Sequence, residues 1–140
     1  MTTLHTNPFI RNLNQLSHFI GHAQRRALAV GLRGEEADFF REKIAEYAER
    51  ILTMPKTYEQ DGQGENAIVS LHYFAGGQAN WWITEKDADT DGEGQHQAFG
   101  LADLFGDGGE LGYISIVELV ANGAELDLYW TPKPLRACRH

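Results

Sequence analysis

The chain has 140 residues, 42 % hydrophobic and 23 % charged, the profile of one soluble globular domain with its own core. Its net charge of −8 lies wholly in the second half: residues 1–61 hold eight acidic and eight basic residues, residues 62–140 twelve and four. That balance speaks against direct binding to nucleic-acid phosphates, and no apolar run reaches the roughly 20 residues a bilayer demands. The opening MTTLHTNPF lacks the basic start and apolar middle of a secretion signal. Cys138 is the one cysteine, so no disulfide can form within the sequence, and the cytoplasm is the expected compartment.

The first half reads as helical. Asn7 can cap a helix with Pro8 in its first position. Phe9, Leu13, Leu16, Ile20, Ala23, Ala27 and Val30 then recur at helical spacing. Gly21 marks where this helix can kink or split, and Gly31–Gly34 ends it. A second helix follows over 35–52, with Ala37, Phe40, Ile44, Tyr47 and Ile51 on one stripe and Pro55 as its stop. The short turn between the two predicts an antiparallel pair. Both stripes suit a core, and either could instead form the seam of a homodimer.

Residues 54–65 read as a loop, and the period then changes to two. Asn66–Phe74 and Gln78–Glu85 predict a hairpin around Gly76–Gly77. A third strand is predicted over 95–105, a turn at Gly106–Gly109, and a fourth strand or bridging segment over 110–115. Ser115 and Glu118 have the spacing of a capping box, which places a short helix over Ile116–Ala121, with Gly123 at its end. Ala124–Trp130 alternates as a last strand. The sum is an α+β domain over residues 1–140. Its helical pair (1–55) packs on an antiparallel sheet of four or five strands (66–130), with one short helix before the last strand. Trp81 and Trp82 are neighbours on a strand and so point to opposite faces; one can fill the core, and the other is expected beneath a second layer, the helical pair, or else exposed as a binding anchor.

Asp87–Glu93 reads DADTDGE. Asp87, Asp89 and Asp91 occupy the first three ligand positions of an EF-hand-like loop, and Gly92 its turn position. The closing position, where a bidentate glutamate belongs, holds Ala98, and the flanks read as strands rather than helices. A loop of this composition is also simply a solvated strand connection. In an extended chain Asp87, Asp89, Asp91 and Glu93 would stand roughly 6.6 Å apart on one side. With Asp103 and Asp107 nearby, such a row could imitate the phosphates of a nucleic-acid strand and engage a basic groove.

Other constellations are thinner. His18 and His22 share a helical face at a zinc-compatible spacing, but two ligands make no site. His72 could pair with Glu85 or Asp103 as a general acid–base couple. Ser70, Thr84 and Ser115 lack a nucleophile motif. No cofactor is expected.

Thr84 and Glu85, then Ala98-Phe99-Gly100 with Asp103, then Glu110-Leu111-Gly112-Tyr113 with Ser115, Glu118 and Leu119 resemble a shared pattern: T-E, A-F-G-x-x-D, E-L-G-Y-x-S-x-x-E-L. It is that of an uncharacterised domain family of bacterial plasmids, integrative elements and phages. The resemblance covers about residues 68–130 and implies a mobile-element accessory protein, here in a form extended by the helical pair. It implies no established activity. The leading expectation is a binding module whose acidic residues Asp87, Asp89, Asp91, Glu93, Asp103 and Asp107 meet a basic protein surface, such as a nucleic-acid-handling defence enzyme blocked by a DNA mimic of the anti-restriction or anti-CRISPR type. A small hydrolase or transferase built on His72, and a weak calcium-binding protein built on Asp87, Asp89 and Asp91, are the alternatives.

Overall fold

The computed structural model describes residues 7–88 and 95–138. Helix α1 spans Pro8–Ser17, with the Asn7 side chain accepting the Phe9 N–H at 2.8 Å. The chain then breaks. Helix α2 spans His22–Gly31 with Gly21 as its N-cap, and α3 spans Ala37–Thr53. Three helices therefore stand where periodicity alone predicts two, with the split at Gly21, where a kink or split is expected. The break also resets the helical phase, so the single stripe fails beyond it. Ala23, Ala27 and Val30 are exposed, and Leu28 is the buried residue of α2. The α3 stripe holds: Ile44, Tyr47 and Ile51 are buried, with Ala37 and Phe40 half-buried.

Five antiparallel strands form the main sheet in the order β5-β4-β3-β2-β6: β2 Leu71–Ala75, β3 Ala79–Glu85, β4 Ala98–Asp103, β5 Glu110–Ile114 and β6 Glu125–Leu126. The expected strand 66–74 is interrupted. A 3-10 turn takes Gly64–Asn66, and Ile68–Val69 form a separate strand β1. Its partner is β7, Lys133–Pro134, in a second, two-stranded sheet. Ser70 between β1 and β2 donates its N–H to Ile83 O, so β1 stays beside β3 while it pairs elsewhere.

The final strand is shorter than its alternation suggests. After Leu126 the chain turns, because the buried Tyr47 hydroxyl of α3 accepts the Trp130 N–H at 2.9 Å and faces the Asp127 and Trp130 carbonyls at 2.9 and 3.1 Å. Arg50 Nη1 donates to the same Trp130 carbonyl. The edge of β6 is closed by α2: Gln24 donates to Leu126 O at 2.7 Å and accepts the Leu126 N–H at 2.9 Å. Helix α4, Ile116–Ala121, begins as predicted, with Ser115 Oγ accepting the Glu118 N–H, and Gly123 follows it at φ +94°.

One face of the sheet meets the helices. Leu71, Tyr73, Ile83, Ala98, Ile114 and Leu126 pack there with Leu16, Ile44 and Ile51, and Trp81 joins them. The helices do not cover Trp82. It packs on the opposite face with Val69, Leu101, Trp130, Leu135 and Cys138, beneath the C-terminal segment. Each tryptophan thus has its own layer, because β1 and β7 supply a second one. Gly100 permits the tight pairing of β4 with β3: a Cβ there would collide with the Trp82 carbonyl.

Candidate functional site

The side of the sheet facing away from the helices carries two cavities and the β4–β5 turn. Asp103, the last residue of β4 and 7 % exposed, organises that turn. Its Oδ1 accepts the N–H groups of Phe105, Gly106 and Asp107 at 3.3, 2.7 and 3.2 Å, and its Oδ2 that of Gly108 at 3.2 Å. Burial would raise its carboxyl, but these four donors outweigh it and hold the group below the usual carboxylate range. The turn leaves Leu104 exposed and Phe105 73 % exposed.

A cavity of about 440 Å³ opens between this turn and the C-terminal segment, lined by His72, Asn80, Trp82, Asp103, Trp130 and Lys133 among others. His72 stacks on Trp82 with 5.7 Å between ring centroids and lies 5.0 Å from the Trp130 ring. Its Nδ1 is 3.0 Å from Asp127 Oδ2, and its Nε2 2.7 Å from Asn80 Oδ1. The Asn80 amide nitrogen donates to Gln78 O, which turns the oxygen toward His72. The carboxylate that His72 meets is therefore Asp127. Asp103 borders the same cavity with its oxygens taken by the turn, and Glu85 lines a different cavity. Asp127 carries no motif. Only the pairing of β6 with β2, which also sets the Asp127 N–H on His72 O at 2.8 Å, brings the two together.

Glu85 belongs to a second cavity, of about 390 Å³, between the 57–64 loop and strands β3–β5. A register shift in β3 between Ile83 and Glu85 puts Glu85 opposite Phe99. The residue is 5 % exposed. Its Oε1 accepts the Tyr58 N–H at 3.0 Å, and its Oε2 accepts the Thr84 hydroxyl at 2.7 Å. The walls are mostly apolar, with Phe99, Leu111, Ala67 and Leu135 among them. Tyr58 stands at φ +78° and is 67 % exposed, a left-handed conformation that is uncommon for an aromatic residue. Its hydroxyl is hydrogen-bonded to that of Tyr113, which in turn meets Phe99 edge-on. Thr84, Glu85, Phe99 and Leu111, four of the residues that carry the sequence resemblance, thus converge on one cavity, with Tyr113 beside it.

The base of the acidic loop is fastened. Asp87 Oδ2 accepts the Gln97 N–H at 3.2 Å, and the Asp87 N–H donates to Gln95 Oε1 at 3.1 Å. Ala98, at the position of a closing calcium ligand, is buried in β4. Asp89, Asp91 and Glu93 lie outside the described residues. Lys86, the only basic residue within Glu85–Asp127, is 9 % exposed. Its Nζ donates to Ile51 O at 2.6 Å and Leu52 O at 3.3 Å, at the C-terminal end of α3. Burial, and secondly Lys56, lower its pKa against the pull of Glu59. Asp107 is exposed, and its Oδ1 faces the Gly109 N–H at 3.4 Å. His18 follows the end of α1 and His22 opens α2, so they do not share one helix face. Among the described residues no group of three or more His, Cys, Asp or Glu could hold a metal ion, and no helix is long and apolar enough to cross a membrane.

Comparison with curated proteins and with solved structures found no match. The sequence model of a family described as "Protein of unknown function (DUF2958)" matches residues 43–129, which run from within α3 through the sheet and α4 to the turn after β6. The match takes in more than half of the chain, including Glu85, Asp103, His72 and Asp127, and the protein belongs to this family of unknown function.

Proposed function

We propose that this chain is a binding module, the accessory protein of a bacterial mobile element, which docks its acidic half on a basic, nucleic-acid-handling host protein. The placement of Lys86 carries this reading. The one cation of Glu85–Asp127 is turned inward onto the end of α3, so it does not offset the exposed Asp107, Glu110, Glu118 and Glu125 at the surface. Leu104, Phe105, Leu111 and Tyr113 are exposed on the same β4–β5 unit as Asp107 and Glu110. Carboxylates mixed with aromatic rings suit an arginine-rich surface, since guanidinium pairs with the first and stacks on the second. A protein that occupies the nucleic-acid groove of a restriction or CRISPR enzyme would use this chemistry.

The test immobilises the full chain and exposes it to bacterial lysate at low and high salt, beside a D107K/E110K variant and a D89K/D91K variant. Basic nucleic-acid-binding proteins should be captured at low salt, released at high salt, and lost on charge reversal while the melting temperature holds. A captured set that ignores both salt and charge reversal overturns the reading.

One observation favours a second reading, a small hydrolase or transferase: the 3.0 Å contact of His72 with Asp127 at the wall of the 440 Å³ cavity. In that case a substrate would displace the Asn80 amide to reach Nε2. Chromogenic ester and phosphate substrates, turned over by the native chain but not by H72A, would support it.

A further inference from the structure

We propose that the cavity around Glu85 is a receptor for a single arginine side chain of the partner, with Glu85 as its counter-ion. This rests on the reading of the chain as a module for a basic protein surface, and it locates the centre of that contact. A carboxylate removed from water is ordinarily paired with a cation, because its desolvation is costly. Glu85 is 5 % exposed in a largely apolar cavity, and among the described residues it has no ion pair; the described pairs are Arg41–Asp38, Lys43–Glu46, Arg50–Glu46 and His72–Asp127. The adjacent Lys86 does not serve, since its ammonium is held by the Ile51 and Leu52 carbonyls.

The remaining valence of Glu85 selects the kind of cation. Among the described residues each of its oxygens accepts one hydrogen bond, Oε1 from the Tyr58 N–H and Oε2 from the Thr84 hydroxyl. A carboxylate offers about two acceptor sites per oxygen, so one remains on each. Two parallel N–H donors of a guanidinium fork fill that pair, whereas an ammonium presents a point charge. Phe99 and Tyr58 line the cavity and offer ring surface for the guanidinium plane, and Leu111, Ala67 and Leu135 offer apolar surface for the methylene stem. At about 390 Å³ the space suits one side chain or a small ligand, not a peptide laid lengthwise. The left-handed Tyr58 contributes its N–H to Glu85 and its hydroxyl to Tyr113, so the rim and the floor are set by the same residue.

The probe is the capped tripeptide Gly-Arg-Gly, titrated into the full chain by NMR and calorimetry, beside peptides with citrulline or lysine in place of arginine. Arginine should bind at millimolar concentration and shift the resonances of Phe99 and Leu111. Citrulline, its neutral isostere, should bind at least about tenfold more weakly, and lysine should fall between. E85Q should lose the arginine preference. If E85Q fails to fold, the citrulline comparison on the native chain reads the same charge dependence, and L111W, at an exposed rim position, should block entry. No arginine binding, equal citrulline binding, or shifts confined to other surfaces overturn the proposal. Salt-sensitive capture of basic proteins with no arginine-peptide binding would sink the pocket and leave the module; peptide binding without charge-dependent capture would do the reverse.

Discussion

His72 Nδ1 and Asp127 Oδ2 stand 3.0 Å apart, joined across 55 residues of chain by the pairing of β2 with β6. Asp127 also accepts the Tyr129 N–H on Oδ1 at 2.9 Å, so one carboxylate ties the turn after β6 to the sheet. Replacing Asp127 by alanine should cost about 2 kcal/mol, and a His72/Asp127 double-mutant cycle should return a coupling of about 1 kcal/mol. Urea unfolding measures both. A coupling indistinguishable from zero would mean that the contact merely accompanies the strand pairing.

Tyr73 is buried in the main core and its hydroxyl donates to Phe19 O at 2.6 Å. Y73F should lose about 1 kcal/mol near neutral pH, because the Phe19 carbonyl loses its donor. Burial holds this phenol well above the ordinary value of 10.0. The native state therefore keeps a proton that the unfolded chain releases. Its contribution is complete below that value and declines as pH rises above it. The stability gap between Y73F and the native chain should shrink in alkali, as denaturant titrations at neutral and alkaline pH would record.

Asp103 has the opposite sign. Its carboxyl sits below the ordinary value of 3.8 because four backbone N–H groups outweigh burial. Its contribution is present above the unfolded value and is lost as pH falls through the lower folded one. D103N should melt at a lower temperature than the native chain at neutral pH, and the two should converge in strong acid. Thermal melts across the acid range test this, and a constant difference would refute it.

Lys86 caps α3 from the position just after β3, far along the chain. K86M keeps the aliphatic bulk and removes both carbonyl contacts, so it should cost about 2 kcal/mol. Because burial lowers the ammonium's pKa in the fold, the native chain should gain from this group as pH rises toward the unfolded lysine value of 10.5. K86M should show no such gain. The variant should leave lysate capture unchanged, because this charge points inward.

Local chemistry made much of this protein legible from its sequence. The Asn7–Pro8 start, the α3 stripe, the hairpin of β2 and β3, the β4–β5 turn and the Ser115 cap all depend on residues within a few positions of one another. The charge asymmetry between the two halves is a matter of composition and needs no fold to be read. The reading failed wherever a distant segment decided the outcome. Gly21 marks the split that its sequence predicts, but the phase of α2 beyond it is not legible, and Gln24 of that helix serves an edge strand 102 residues away. Tyr47 ended the last strand by holding Trp130. The C-terminal segment, not the helices, covered Trp82. Asp127 reached His72 through strand pairing, and Glu85 and Asp103, alike as acidic residues in sequence, parted into a cavity floor and a turn clasp. Periodicity reports which residues seek burial; only the tertiary structure assigns their neighbours, because those contacts depend on strand order and on what each layer leaves to be covered.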